Sequence, residues 1–257
     1  MTEAELLARW RAEKPLYEAW ADFISLKVHE ALQASIAPVS LDYFIKVPVK
    51  PRLKADSTLV DKALHRKQYT NPYEDLTDKV GMRFVVLLTT DIKKVCDAIE
   101  GAARQGFWDA SKDRDYEKER LDKPLEFSYQ SVHYVLRAKD GIEHQGRKIP
   151  GGATCEVQIR TLLQHAHSEL THDTLHKPKI TAQPGVKRTV AKSMALIEAT
   201  DEFFEQAITW SIATRTRISF SPAILSSCLL GLISLQKRNL PTKSANHLES
   251  AGKMSRP

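Results

Sequence analysis

Hydrophobic residues recur at near-helical spacing through the first 35 positions, where Leu6, Leu7, Trp10, Leu16, Trp20, Phe23, Ile24, Val28 and Leu32 fall on one stripe. Pro15 interrupts it, so the pattern predicts two amphipathic helices broken near that residue. "YFIKVPVKPRLK" reads as a strand that leaves the core at its proline-containing end, and "TLVDKALHRK" as a short helix. "GMRFVVLLTT" runs apolar and β-branched residues together, as a central strand covered on both faces does. "DIKKVCDAIEGAARQG" predicts a helix with Asp near its start and Gly at its end. "DASKDRDYEKERLDK", residues 109–123, reads as a solvated connection. "SYQSVHYVLRA" and "TCEVQIR" read as strands flanking a Gly-rich turn, and "TLLQHAHSELTHDTL" and "VKRTVAKSMALIEATDEFFEQAITW" as closing helices. Interleaved helices and strands predict an α+β fold with a central mixed sheet flanked by helices.

Two of the predicted strands break the usual separation of apolar from polar faces. In "LEFSYQSVHYVLR", Tyr129, Ser131 and His133 share one side; in "CEVQIR", Glu156, Gln158 and Arg160 share one side against Cys155, Val157 and Ile159. Such strands laid next to each other would make a polar floor inside a sheet, which is the usual character of a ligand site.

Composition narrows the choice of ligand only a little. A 257-residue chain with 42% hydrophobic residues can bury a substantial core, and its net charge of +6 suits an anionic partner such as a nucleotide or nucleic acid. Cys96, Cys155 and Cys228 are far apart, odd in number and free of C-x-x-C spacing, so they indicate neither a disulfide framework nor a zinc site and fit a reducing cytoplasm. The N-terminus is charged throughout and has no apolar h-region, against a secretory signal. From Gln206 to Leu248 no acidic residue occurs, and the apolar run "AILSSCLLGLISL" is too short to span a bilayer, so no stable membrane insertion is expected. By these signs the chain divides into N-terminal helices over 1–38, a central domain over 39–210 and an atypical basic, Ser-rich, partly disordered tail over 211–257.

The residues able to do chemistry fall in four stretches. Arg52 and Lys54 share a face at a strand end, with Ser57, Thr58 and Lys62 following at a helix start, which is a plausible phosphate cradle; alone, the stretch reads more readily as a solvated basic helix. Asp75 and Asp78 precede a buried strand that carries Arg83, and that arginine needs either an ion pair with Asp78 or a site to face. "CEVQIR" is the third. Along "LLQHAHSELTHDTLHK", His165, Glu169, His172 and His176 recur at three- and four-residue spacing, but they lack the compact H-E-x-x-H arrangement, so capping, core or acceptor-site roles fit better than metal.

Taken in order, four motifs resemble the synthetase domain of the RelA/SpoT family of alarmone (ppGpp) synthetases. They are "RLK" with a hydroxyl and Lys62 downstream, "DKVGMR" as D-x-x-G-x-R, "KPLEFSYQSVHY" as K-P-x-G-Y-x-S-x-H-Y, and "EVQIRT" as E-x-Q-x-R-T. The resemblance covers roughly residues 40–205, and "RTLLQHAHSELTHD" is similar to the small stand-alone branch that includes toxic members. Two positions depart from the pattern: Ser128 stands where a glycine usually precedes the tyrosine, and Thr58 matches the family's hydroxyl better than Ser57 does.

The resemblance implies a nucleotidyltransferase-like synthetase fold and a pyrophosphokinase that moves the β,γ-diphosphate of ATP to the ribose 3′-hydroxyl of GDP or GTP. It implies Arg52 and Arg83 around adenine, Lys54, Thr58 and Lys62 on the triphosphate, and Asp78 and Glu156 as Mg²⁺ ligands, with Glu156 also taking the proton. It places Tyr129 under the acceptor base, with Lys123, Ser131, His133, Gln158 and Arg160 around the acceptor. Some relatives use adenine nucleotides, and toxic members modify the 3′ CCA end of tRNA, for which Arg114, Lys118 and Arg120 are the candidate contacts here, diluted by acidic neighbours. The toxic branch also implies an antitoxin protein as partner, and a homo-oligomer is a further expectation. A catalytically silent nucleotide- or RNA-binding regulator is the remaining class; its mark would be a lost metal acid, and both are present.

Overall fold

The computed structural model describes residues 1–128, 130–172 and 183–219. Met1–Gln206 forms one compact unit and Ala207–Pro257 a second, of which the end of the last helix is described; the tail read beyond it from sequence lies outside the described residues.

The stripe of the first 35 residues forms one helix, α1 (Glu3–Ile36), which runs through Pro15 without a break and corrects the expected pair. Thr2 starts it with a capping box closed by Glu5. An interior proline costs a helix about 3 kcal/mol, but Leu6 and Trp10 before it and Tyr17, Trp20 and Ile24 after it are all buried in the common core. Each large side chain so buried contributes about 1.5–3 kcal/mol, so packing on both sides of Pro15 outweighs the missing hydrogen bond.

After α2 (Leu41–Phe44) the chain makes one isolated bridge, Val47 to Val85, and then the two-residue strand β1 (Arg52–Leu53). The long strand expected there is thus corrected to a fragment, because Pro48 and Pro51 offer no N–H to a ladder. α3 (Asp56–Val60) continues into a π-helical turn at Asp61–Arg66. β2 (Val80–Val86), α4 (Thr89–Arg104), β4 (Val132–Ala138), β7 (Thr154–Thr161), α6 (Leu162–Thr171) and α7 (Pro184–Ser219) form where the periodicity places them. Residues 109–123 are the larger correction. They form an edge strand, β3 (Trp108–Arg114), and a helix, α5 (Tyr116–Asp122), and the Gly-rich turn holds a small hairpin of β5 (Ile142–His144) and β6 (Arg147–Ile149). A charged edge strand shows no alternation because one rim faces water, and its charges discourage edge-to-edge pairing.

The main sheet has the order β1-β2-β7-β4-β3, with β2 and β7 parallel and the other neighbours antiparallel. It is therefore a mixed α+β fold. One face is apolar: Met82, Phe84, Val86, Val157, Ile159 and Leu136 are buried in the core that α1 and α4 cover. The other face is the polar one, and register builds it row by row. Arg114, His133, Gln158 and Arg83 lie across four strands, and Val135, Glu156 and Gly81 form the next row, ending at Arg52.

Among the described residues no helix is long and apolar enough to cross a membrane.

Candidate active site

A cleft of about 430 Å³ opens over the β1-β2-β7 side of that polar face. Its floor is Arg83, Glu156 and Gln158, and its wall is Arg52, Lys54 and Thr58 from β1 and the start of α3. Gly81 keeps the floor low: a β carbon there would stand 3.3 Å from the Glu156 carbonyl oxygen, tighter than ordinary van der Waals contact.

Asp78, in the turn before β2, is where the basic stretch and the acid motif meet. Lys54 Nζ donates to Asp78 Oδ2 at 2.6 Å and Lys62 Nζ to the same oxygen at 2.7 Å. The backbone N–H of Lys54 also donates to the Lys79 carbonyl at 2.9 Å, which fixes β1 against this turn. Burial pushes the Asp78 carboxyl up, but the hydrogen bonds from the two lysines outweigh it and hold it below the usual carboxylate range. Oδ1 of Asp78 is buried with no hydrogen-bond partner.

Arg83 does not reach for Asp78. Its NH1 lies 2.7 Å from Glu169 Oε1 on α6, so the ion pair that would have made both residues structural is absent, and Asp78 is held by lysines instead.

Along β7, Gln158 Nε2 donates to Glu156 Oε1 at 2.6 Å, and Arg160 NH2 donates to Gln158 Oε1. The amide thus bridges an acid in the cleft to a fully buried guanidinium. His133 Nδ1 is 3.7 Å from Glu156 Oε1. Burial first, then the charges of Arg160 and Arg114, push the His133 pKa down to about 4, so the ring beside Glu156 is neutral at neutral pH.

The remaining expected residues lie elsewhere. Lys123 is exposed, 3.2 Å from Glu126, and with Arg114 and Arg120 it lines a second, smaller cleft of about 220 Å³. Ser131 is fully buried and its hydroxyl donates to the Ile159 carbonyl at 3.2 Å, so it ties β4 to β7 rather than opening onto either cleft. Arg114 is held by both carboxylate oxygens of Glu119 at 2.7 and 2.8 Å, Arg120 pairs with Glu198, and Lys118 is exposed. Tyr129 lies outside the described residues, as does His176.

Among the other cleft residues, Lys50 escaped the sequence reading, and His165 was read there only for a capping, core or acceptor-site role. Lys50 lies just before the proline that precedes β1, and His165 lies on the first turn of α6. Burial, then the charge of Arg160, lowers the His165 pKa; Nδ1 is buried without a hydrogen-bond partner, 4.0 Å from Glu169 Oε1. The signal available was position: the helix turn following a site strand overhangs that strand's carboxyl end, where ligands of sheet proteins gather. His167 instead ties α6 to α7, with Nε2 3.0 Å from Ser193 Oγ. Among the described residues no three His, Cys, Asp or Glu side chains converge as a closed metal site. The donor set suits instead a cation such as Mg²⁺, which takes one or two carboxylates and completes its shell from phosphates and water: Asp78, whose Oδ1 is buried without a partner, and Glu156 both line the cleft and would be its carboxylates.

A cleft with cations at one end, one carboxylate on its floor and another at its edge suits a polyphosphate ligand. Residues 51–181 match the family model described as the region found in RelA / SpoT proteins, just over half of the chain, and the chain belongs to that family. The fold is that of small alarmone synthetases. The crystal structure of small alarmone synthetase 1 from Bacillus subtilis superposes with a TM-score of 0.63 at 17% identity, covering 80% of this chain and 99% of that one. The same protein bound to its product pppGpp gives 0.61 at 18% identity, covering 77% and 95%. Small alarmone synthetase 2 from Bacillus subtilis gives 0.61 at 20% identity, covering 78% and 98%. Among curated protein sequences none matches this one.

Proposed function

We propose that the protein is a pyrophosphokinase that transfers the β,γ-diphosphate of ATP to the ribose 3′-hydroxyl of GDP or GTP, making (p)ppGpp and releasing AMP. One observation carries the reading: Lys54 and Lys62 converge on Asp78 at the edge of a cleft that also holds Arg52, Arg83 and Glu156. Membership of the RelA/SpoT family and the pppGpp held by a relative of the same fold support it.

The triphosphate would lie on Lys54, Thr58 and Lys62, with the adenine between the guanidinium groups of Arg52 and Arg83. The Arg83–Glu169 ion pair would then open. Asp78 and Glu156 would hold a Mg²⁺, which supplies neutralisation of phosphate charge. Glu156 takes the proton from the attacking 3′-hydroxyl as the oxygen bonds to the β-phosphorus, the bridge to the α-phosphate breaks, and AMP leaves with the bridging oxygen. Gln158 orients the Glu156 carboxylate, and neutral His133 sits beside it without competing for the proton. No covalent enzyme intermediate is needed, so alignment and charge stabilisation supply the rate.

A guanine nucleotide is favoured over tRNA because Arg114 and Arg120 are each already held by an internal carboxylate, leaving little open positive surface around the second cleft for a phosphate backbone. The test supplies ATP labelled in its γ-phosphate with GDP, GTP, AMP, ADP or deacylated tRNA in turn. Label in a guanosine tetra- or pentaphosphate, with matching AMP release, is expected. Label on tRNA alone would establish transfer to its 3′ end and implicate Arg114, Lys118 and Arg120. Nucleotide binding with no AMP from any acceptor would make the protein a silent regulator.

A further inference from the structure

The second cleft, between α5 and the start of β4, has a wall that is built from inside the protein. Gln130 lines it together with Arg114, Arg120 and Lys123, and yet its side chain is buried, with the residue only 5% exposed. Both ends of its amide are engaged by other elements. Nε2 donates to Glu198 Oε2 on α7 at 2.8 Å, and Oε1 accepts from Gln164 Nε2 on α6 at 3.3 Å.

Those partners are themselves fixed. Gln164 Oε1 accepts from the backbone N–H of Thr161 at 3.0 Å, and its own N–H donates to Thr161 Oγ1 at 3.1 Å, closing a capping box at the seam of β7 and α6. Thr161 Oγ1 in turn donates to Asp201 Oδ2 on α7 at 2.9 Å. An unbroken chain of hydrogen bonds therefore runs from the end of the strand that carries Glu156 and Gln158, through Gln164, to Gln130 and α7. Glu198 also pairs with Arg120, so the same carboxylate holds α5, on the far wall of the second cleft.

We propose that Gln130 is a positioning residue for the acceptor: it clamps the segment that leads into β4 to α6 and α7, and so sets the wall of the second cleft, where Lys123 would meet the acceptor, relative to the strand that carries Glu156. The inference rests on the reading of the protein as a diphosphate transferase whose acceptor binds beside Lys123 and His133. Gln130 itself touches no reacting atom. Hydrogen bonding, not bulk, is what the site requires, because a buried amide matched at both ends is left with an unsatisfied donor or acceptor when either partner cannot answer it.

The experiment compares Gln130→Glu, Gln130→Leu and the double variant Gln130→Glu with Glu198→Gln, using the full chain. In Gln130→Glu a carboxylate faces Glu198 and the donor is lost. In the double variant the new amide at position 198 donates to the new carboxylate at position 130, and the bond re-forms in the opposite sense. The expected result is a rise of about tenfold in the acceptor KM for both single variants, with the ATP KM unchanged, and recovery in the double variant. Amide hydrogen exchange over residues 123–128 should quicken in Gln130→Glu and return in the double variant. An unchanged acceptor KM, or equal losses for ATP and acceptor, would overturn the inference. If the wild-type protein transfers to no acceptor, the proposed function fails, and the exchange measurement still decides the clamp: unchanged exchange in Gln130→Glu would overturn it independently of any activity.

Discussion

The two clefts on the polar side of the sheet handle charge in opposite ways. In the larger one, two lysines share a single carboxylate oxygen of Asp78, and Arg52 adds positive charge at the rim. In the smaller one each cation has its own acid: Arg114 has Glu119, Arg120 has Glu198, and Lys123 has Glu126. Pooled cations with a shortage of acid are arranged for a polyanion that is still to come, whereas cations neutralised one by one recognise through shape and hydrogen bonds. In the proposed function, the pooled cations would take the triphosphate of the donor.

The contrast between the clefts breaks first, and with the largest effect, at Asp78 and Glu156. Asp78→Asn or Glu156→Gln should lower AMP release in the presence of acceptor by at least about 100-fold, with an unaltered circular dichroism spectrum. Turnover at the wild-type rate in either variant would remove that carboxylate from the chemistry and overturn the shared-metal assignment.

Neutralising one lysine against one paired arginine sharpens the contrast. Lys54→Met should raise the ATP KM about tenfold, because a part-buried cation among few acids is lost. Arg114→Met should raise the acceptor KM by no more than about threefold, the scale of an ion pair that solvent reaches. Equal penalties in steady-state kinetics would mean that the smaller cleft also spends its positive charge on a ligand.

The smallest expected effect concerns stability and lies behind the smaller cleft. Burial pushes the Asp201 carboxyl up to about 6 from an ordinary 3.8, against the hydrogen bond from Thr161 and the charge of Arg120, with Glu205 adding to the rise. A carboxyl with a raised folded-state pKa favours the folded state below its unfolded value and loses that contribution as pH climbs through the folded one. Stability should therefore fall between about pH 4 and 6 in the wild type, and that slope should vanish in Asp201→Asn. At pH 8 the variant should be more stable by about 1 kcal/mol in urea unfolding, after the unmatched amide donor at the buried Oδ1 position is set against the relieved carboxylate. An unchanged slope would place the titration elsewhere.

Much of this architecture was legible in the order of residues alone. Period-two alternation marked Glu156, Gln158 and Arg160 as one face of β7, and the register sets His133 opposite Gln158, so the polar floor expected from two odd strands exists. The apolar run of β2 and the amphipathic α4 lie where their patterns place them. Local periodicity carries such information because each residue's face follows from its own dihedral angles. Thr58, which matches the family's hydroxyl position better than Ser57, lines the cleft.

Other features were settled only by contacts distant in sequence. Pro15 reads as a helix break until Trp10 and Tyr17, 5.6 Å apart between ring centroids, are seen buried on the same core. Residues 109–123 read as solvent because the pairing partner that makes them strand, β4, comes some twenty positions later. Arg83 had Asp78 as its expected partner in sequence terms, but it takes Glu169, 86 positions on, while Asp78 takes Lys54 and Lys62. The sequence by itself determined which residue types this protein brings to its polar face, because alternation along a strand is a local property. Which cation meets which acid, and how Gln130 comes to join β7 to α7, was decided by tertiary structure, because an ion pair or a buried amide chooses its partner by the distance left once the sheet has closed.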